Sequence, residues 1–208
     1  MGNYRRAITP GGTFFFTVVT YRRRLLFDRP ENRQILREVV QAVRHRHPFT
    51  IHAWVLLPEH MHCIWTLPQE NSDFSVRWSL IKSGFSRRAR ACCHIEEWMN
   101  DSKRKHRETT IWQRRFWEHQ IRSDEEFQAY MDYTHFNPVK HGLVQKVVDW
   151  PYSTFHRHSK QGLYPEHWGW RNGGPTGTYL RRMNNGGHKQ RAHPLTMLAG
   201  IDQQPTPT

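Results

Sequence analysis

Apolar runs on either side of Pro58 restrict the fold of this chain more than any other feature. They predict two strands joined by a short turn, one over Phe49–Leu57 and one over His60–Leu67. His60 and His62 then point to one face, because side chains alternate along a strand. Two imidazoles on one face can bind a divalent metal if a third ligand comes from elsewhere. The alternative is two unconnected histidines, since the chain contains 15 His.

Strand and helix patterns on both sides of this hairpin predict the fold class. The predicted strands are Thr13–Tyr21, Phe49–Leu57, His60–Leu67 and Thr110–Ile121, and the predicted helices are Asp28–His45, Asp73–Cys93 and Ser123–Asn137. The first six elements form an α+β, ferredoxin-like split βαβ arrangement, with an antiparallel sheet and helices on one face. A tyrosine-bearing helix and an irregular tail follow.

The charge balance indicates a polyanionic partner. Lys and Arg number 31 against 18 Asp and Glu, a formal net charge of +13, which points first to nucleic acid and second to an anionic membrane. No apolar run approaches the roughly 20 residues of a bilayer-spanning helix, and no signal peptide is evident. Three cysteines form neither a disulfide framework nor a CxxC zinc pair, so a reducing, cytoplasmic location is expected.

The helix predicted at Asp73–Cys93 combines an apolar stripe with cationic positions that no acid interrupts. These cations are Arg77, Lys82, Arg87, Arg88 and Arg90. Such a face can lie along a phosphate backbone, whereas the alternative, a solvated helix face, normally mixes signs. A second basic run, Arg22-Arg23-Arg24, follows the first strand. There the open alternative is a solvated basic loop.

The last predicted helix begins at a capping box and is expected to end before Pro138. It places Tyr133 and Asn137 one turn apart on one face, while Tyr130 belongs to the stripe that packs on the sheet. A tyrosine one turn before a terminal amide can serve as a nucleophile beside a metal ligand. The alternative is a half-buried tyrosine and a helix-terminating asparagine.

Together these patterns resemble a known family. His60-Met61-His62 is similar to the His-hydrophobe-His motif of HUH endonucleases, and Tyr133-x-x-x-Asn137 is similar to their tyrosine helix. More specific sequence motifs between about Tyr4 and Gly169 resemble those of the REP-associated tyrosine transposases. These motifs are Arg5-Arg6, Gly11 to Tyr21, Trp112 to His119, Asn137 to Val144 and Trp150 to Ser153. One position departs from the pattern, because Glu59 stands where an Asn commonly precedes the first His, and this change can alter hydrogen bonding to the metal site.

The resemblance implies a single-domain nuclease over residues 1–169, followed by a tail over 170–208 that is expected to be disordered. It implies recognition of repetitive extragenic palindromic (REP) DNA folded as a hairpin. It also implies cleavage and rejoining of single-stranded DNA through a 5′-phosphotyrosine on Tyr133, with Mg²⁺ or Mn²⁺ held by His60, His62 and Asn137. The expected DNA-binding residues are Arg5, Arg6, Arg22, Arg23, Arg77, Lys82, Arg87, Arg88, Arg114, Arg115 and Lys140.

No membrane and no obligate protein partner are expected, and the protein is expected to be a monomer or homodimer associated with the bacterial nucleoid. Two alternatives remain open from the sequence. One is a hairpin-DNA-binding protein that no longer cuts, although His60, His62, Tyr133 and Asn137 are all present. The other is a metal-dependent RNA-processing enzyme on the same small fold, which would not need Tyr133.

Overall fold

The computed structural model describes residues 9–169, which form a four-stranded sheet with helices on both faces. The strands are β1 (Thr13–Val19), β2 (Thr50–Leu56), β3 (His60–Thr66) and β4 (Trp117–Ile121). The helices are α1 (Pro30–Arg46), α2 (Phe74–Arg88), α3 (Arg90–Cys93), α4 (Asp101–Lys105), α5 (Asp124–Lys140) and α6 (Phe155–Lys160). Arg5, Arg6 and the predicted tail at 170–208 lie outside the described residues, so those predictions stay untested.

The sheet order is β2–β3–β1–β4, and every neighbouring pair is antiparallel. This is the strand order of the predicted ferredoxin-like fold, so the fold class is confirmed. β1 lies inside the sheet, and its run Phe14–Phe16 is buried on both faces. Strands covered on both faces have continuous rather than alternating apolar residues, which is why this segment predicted a buried strand.

Different helices cover the two faces of the sheet. On β3, Met61 and Trp65 point to the face covered by α1 and α2, where they join the main apolar cluster. Ile64 points to the opposite face and joins a smaller cluster with residues of α5. Because side chains alternate along a strand, His60 and His62 share the α5 face with Ile64. The fold therefore brings the tyrosine-bearing helix onto the face that carries the histidine pair.

Three predicted element boundaries are wrong. β4 begins at Trp117 rather than Thr110, because the preceding segment pairs only through an isolated bridge between Trp112 and Thr20, the residue after β1. The helix predicted over Asp73–Cys93 is interrupted at Ala89 and resumes as the single turn α3. α5 does not end before Pro138 but continues to Lys140.

Pro138 is buried and lies in the last turn of α5. A proline inside a helix removes one N–H donor and strains the preceding turn. The bonds around it persist, since the His141 N–H donates to the Asn137 carbonyl (3.0 Å) and the Leu143 N–H donates to the Pro138 carbonyl (2.9 Å). Within residues 9–169, no helix has the length and apolarity needed to cross a membrane.

Candidate active site

His60 and His62 lie side by side on β3, with ring centroids 4.9 Å apart. Both are almost fully buried, at 2 % and 1 % exposure. The Nδ1 atom of each ring has a partner: His60 Nδ1 lies 2.8 Å from Glu59 Oε1, and His62 Nδ1 lies 2.9 Å from Thr17 Oγ1. The Nε2 atom of each ring is buried without a hydrogen-bond partner. The pair therefore presents two nitrogen atoms to one space on the α5 side of the sheet.

The partner of Nδ1 determines which nitrogen of the His60 ring carries the proton. An ionised carboxylate only accepts hydrogen bonds, so the Glu59 contact requires His60 Nδ1–H and leaves the Nε2 lone pair available. Burial by itself raises the pKa of Glu59. The hydrogen bond with His60 and nearby positive charge lower it by more, so the pKa of Glu59 is lowered overall. Glu59 is therefore the orienting partner that imidazole ligands usually have.

The side chain of Asn137 completes this space from α5. It is fully buried, its Nδ2 donates to the Tyr133 carbonyl at 3.3 Å, and its Oδ1 has no hydrogen-bond partner. The amide lies close to His62, because its interaction with that imidazole raises the pKa of His62. The two groups nevertheless do not meet in hydrogen-bond geometry. The predicted free amide oxygen is present, but at the penultimate turn of a longer helix rather than at its end.

The net effect on His62 is a neutral imidazole. Burial lowers its pKa well below 6.5, and electrostatic interaction with His60, His141 and Lys140 lowers it further. A neutral imidazole is the form that binds metals.

Two imidazole Nε2 atoms and an amide oxygen are ligands that suit a divalent cation. Among the described residues, no group of three His, Cys, Asp or Glu side chains could hold a metal ion, so a metal bound by this pair would need a ligand of another type, such as the amide. Three buried polar atoms without partners are costly unless something binds them. The residues present therefore fit a metal held by His60, His62 and Asn137.

Tyr133 lies directly beside this set. Its ring meets the His62 ring edge-on at a centroid distance of 5.2 Å, and Lys140 Nζ lies 4.7 Å from the centre of the Tyr133 ring. Tyr130 packs on Phe15, with ring centroids 4.6 Å apart, and burial raises its pKa to about 12. Tyr133 contacts Phe15 as well, at a centroid distance of 5.8 Å, so the two tyrosines share this apolar contact and the ring of Tyr133 extends to His62.

Two residues of the site were not predicted from the sequence. His141 lies with its ring centroid 5.1 Å from that of His60, and burial, followed by the charge of His60, lowers its pKa to about 4. Its spacing of four from Asn137 was a usable signal, because such residues are neighbours on a helix. Thr17 had no such signal, since only the register between β1 and β3 places it opposite His62.

The predicted DNA-binding cations differ in their environments. Arg77 is the one that the structure contradicts: it is 2 % exposed and donates to the carbonyls of Pro48 and Asp73 and to Asn71 Oδ1. It faces inward because its guanidinium donates to backbone carbonyls, including that of Pro48 in the loop before β2. Lys82 likewise donates to backbone carbonyls, at Gln113 and Arg114.

Acids from other elements pair with two further cations of this set. Glu38 of α1 pairs with Arg88, and Glu108 pairs with Arg114. The cationic face of α2 is therefore interrupted in space although not in sequence. Arg87 and Arg115 are exposed, and Arg22 is exposed with its guanidinium 4.5 Å from the centre of the Trp98 ring.

Only some of these cations lie near the histidine pair. Arg23 pairs with Glu59 at 3.3 Å, and Lys140 lies over Tyr133. α2 packs on the opposite face of the sheet, so its cations do not line this site.

Comparison with known proteins supplies independent information. No known family profile matches the sequence. The chain is 46% identical over 168 residues to a REP-associated tyrosine transposase of Escherichia coli, covering 81% of this chain and 91% of the relative. It is 41% identical over 169 residues to a Haemophilus influenzae protein provisionally named for the same family, covering 81% and 94%.

A solved structure of a REP-associated tyrosine transposase bound to a REP hairpin is also similar. It superposes with a TM-score of 0.69 at 46% sequence identity, covering 81% of this chain and 91% of that one.

Proposed function

Since the chain belongs to the family of REP-associated tyrosine transposases, we propose that it binds REP-type hairpin DNA and cleaves and rejoins single-stranded DNA beside the hairpin. The observations that support this proposal are that His60 Nε2, His62 Nε2 and Asn137 Oδ1 are all buried without hydrogen-bond partners, and that the ring of Tyr133 contacts that of His62. The hairpin seen with the structural relative supports the substrate class.

In the proposed reaction Tyr133 is the nucleophile. Its phenol loses its proton and forms a bond to phosphorus, while the bond from phosphorus to the 3′ oxygen breaks and that oxygen leaves as a hydroxyl with a proton. The DNA keeps its 5′ phosphate on the tyrosine. One phosphoester replaces another, so a second 3′-hydroxyl can reverse the step and join a new strand. No nucleotide cofactor is required.

The proposal includes a divalent cation, Mg²⁺ or Mn²⁺, held by His60, His62 and Asn137. When bound, such an ion polarises the phosphate and offsets negative charge in the transition state. Glu59 and Thr17 orient the two imidazoles through their Nδ1 atoms. Lys140 adds positive charge over Tyr133, where the phosphate must arrive.

A covalent-adduct assay tests the nucleophile. The purified protein is incubated with labelled hairpin DNA carrying a single-stranded flank and Mn²⁺, and adducts are resolved on a denaturing gel. Tyr133→Phe should fold and bind DNA normally but form no adduct, because it loses only the hydroxyl. The matched control, Tyr130→Phe, should still form one.

Two results would contradict the proposal. A full-strength adduct from Tyr133→Phe would move the nucleophile elsewhere, with Tyr130 the next residue to test. Tight hairpin binding by the wild type with no adduct under any divalent ion would instead indicate a binding protein that does not cut.

A further inference from the structure

Trp117 is an exposed aromatic residue on the face of the sheet that carries the candidate site. It opens β4 and is 36% exposed. On β4 it alternates with Glu118, which is buried, and shares its face with Ile121 of the α5-side cluster. Single exposed apolar side chains are common on protein surfaces, so exposure alone assigns it no function. A function for Trp117 is indicated instead by its position relative to the histidine pair.

The register of the sheet aligns Trp117 with His62. Thr17 of β1 pairs with Trp117 on one side and with His62 on the other, so the three residues form one row across the sheet. Neighbouring strands lie about 4.8 Å apart, which places the Trp117 and His62 backbones roughly 10 Å apart. Neighbouring nucleotides of an extended single strand can bridge that distance.

Two aromatic rings pack against the indole of Trp117. The His119 ring lies nearly parallel to it, at an interplanar angle of 8° and a centroid distance of 5.9 Å, and the Phe15 ring meets it edge-on at 5.6 Å. His119 is itself held by Glu126 of α5, at 3.2 Å between Nε2 and Oε1. The exposed Arg115 lies two residues before Trp117 and supplies positive charge for a phosphate backbone.

We propose that Trp117 is a stacking platform for an unpaired DNA base close to the scissile phosphate. Aromatic side chains bind single-stranded nucleic acid in this way, because every base has a π face and can stack on them. The proposal rests on the proposed function, since it needs single-stranded DNA to reach the site. It adds a residue that positions the strand and leaves the assigned chemistry unchanged.

The test measures binding of two DNA ligands to variants in the Tyr133→Phe background, which prevents cleavage. One ligand is a bare hairpin, and the other has the same stem with a single-stranded flank. Trp117→Leu should weaken binding of the flanked hairpin about tenfold, the order expected when one stacked base is lost, and leave binding of the bare hairpin unchanged. Trp117→Phe keeps a π face and should retain most of the affinity.

Tyr152 provides the matched control, because it is 37% exposed and lies beside β2, at the other edge of the sheet. Tyr152→Leu should bind both ligands as the parent does. In addition, 2-aminopurine placed at each flank position in turn should be quenched at one position by the parent, and this quenching should be lost in Trp117→Leu. Unchanged quenching and affinity in Trp117→Leu would overturn the proposal, as would equal weakening of both ligands.

The two proposals fail in different ways. If the wild type forms no adduct but Trp117→Leu still weakens only the flanked hairpin, the nuclease assignment fails and the stacking platform stands. If the wild type forms an adduct and Trp117→Leu binds the flanked hairpin normally, the stacking platform fails and the nuclease assignment stands.

Discussion

Replacing Asn137 with leucine should have opposite effects on stability and on activity. The side chain is fully buried, and its Oδ1 has no partner. Removing an unsatisfied buried oxygen recovers about 1–3 kcal/mol, whereas losing the Nδ2 bond to the Tyr133 carbonyl costs about 1 kcal/mol. Leucine has nearly the same size, so no cavity follows. Without divalent ions, Asn137→Leu should be as stable as the wild type or up to about 2 kcal/mol more stable.

The response to metal should change in the other direction. An ion that binds only the folded protein at about 100 times its Kd stabilises it by about 2.7 kcal/mol. For a domain of this size that corresponds to a rise in Tm of about 5–10 °C. Asn137→Leu removes one of three protein ligands, so most of this rise should disappear, together with the covalent adduct.

The assay is urea and thermal unfolding with and without Mn²⁺, and Asn32→Leu is the matched control. Asn32 is also fully buried and lies in a helix, but its Nδ2 donates to the Leu26 carbonyl at 2.6 Å. Its replacement should destabilise the fold by about 1–3 kcal/mol, because that carbonyl loses its partner, and should leave the Mn²⁺ response intact. An Asn137→Leu protein that is strongly destabilised without metal, or that keeps the full Mn²⁺ shift, would refute the reasoning.

Three further predictions concern the metal, the basic surface and acid stability. His60→Ala, His62→Ala or chelation with EDTA should abolish cleavage and leave hairpin binding largely intact; full cutting in EDTA would contradict the metal site. Arg87→Ala should flatten the slope of log affinity against log salt more than Arg77→Ala, because Arg87 is exposed and Arg77 is buried. Burial lowers the pKa of His135 from 6.5 to about 3, so the unfolded chain binds its proton first. Its contribution to stability should therefore be present above pH 6.5 and fall by about 1.4 kcal/mol per pH unit as the pH decreases toward 3, as urea unfolding at pH 7 and 5 would show.

Local patterns in the sequence were enough to predict the order of the elements. Continuous apolar residues predicted β1, and the alternation along β3 placed His60 and His62 on one face. Helical periodicity placed Tyr130 on the stripe that packs on the sheet, where its ring lies against Phe15. These predictions succeed because each depends on residues within two turns or one strand of each other.

The surface and the partners of the histidines depended on distant residues. Arg77 was predicted to be exposed from its own helix, but a loop before β2 covers it. No acid interrupts the cationic positions from Arg77 to Arg90 in the sequence, yet Glu38 of α1 pairs with Arg88. Thr17 orients His62 through a register that no local pattern encodes.

By itself, the sequence determined the fold class and the residue types of the site, because periodicity and propensity act over short stretches of chain. Only the tertiary structure decided which polar atoms are left without partners. α5 packs on the face of the sheet so that Asn137 adjoins His62, while the Nδ1 atoms of His62 and His60 are engaged by Thr17 and Glu59. That arrangement results from packing between elements that are far apart in the chain, and the proposed site depends on it.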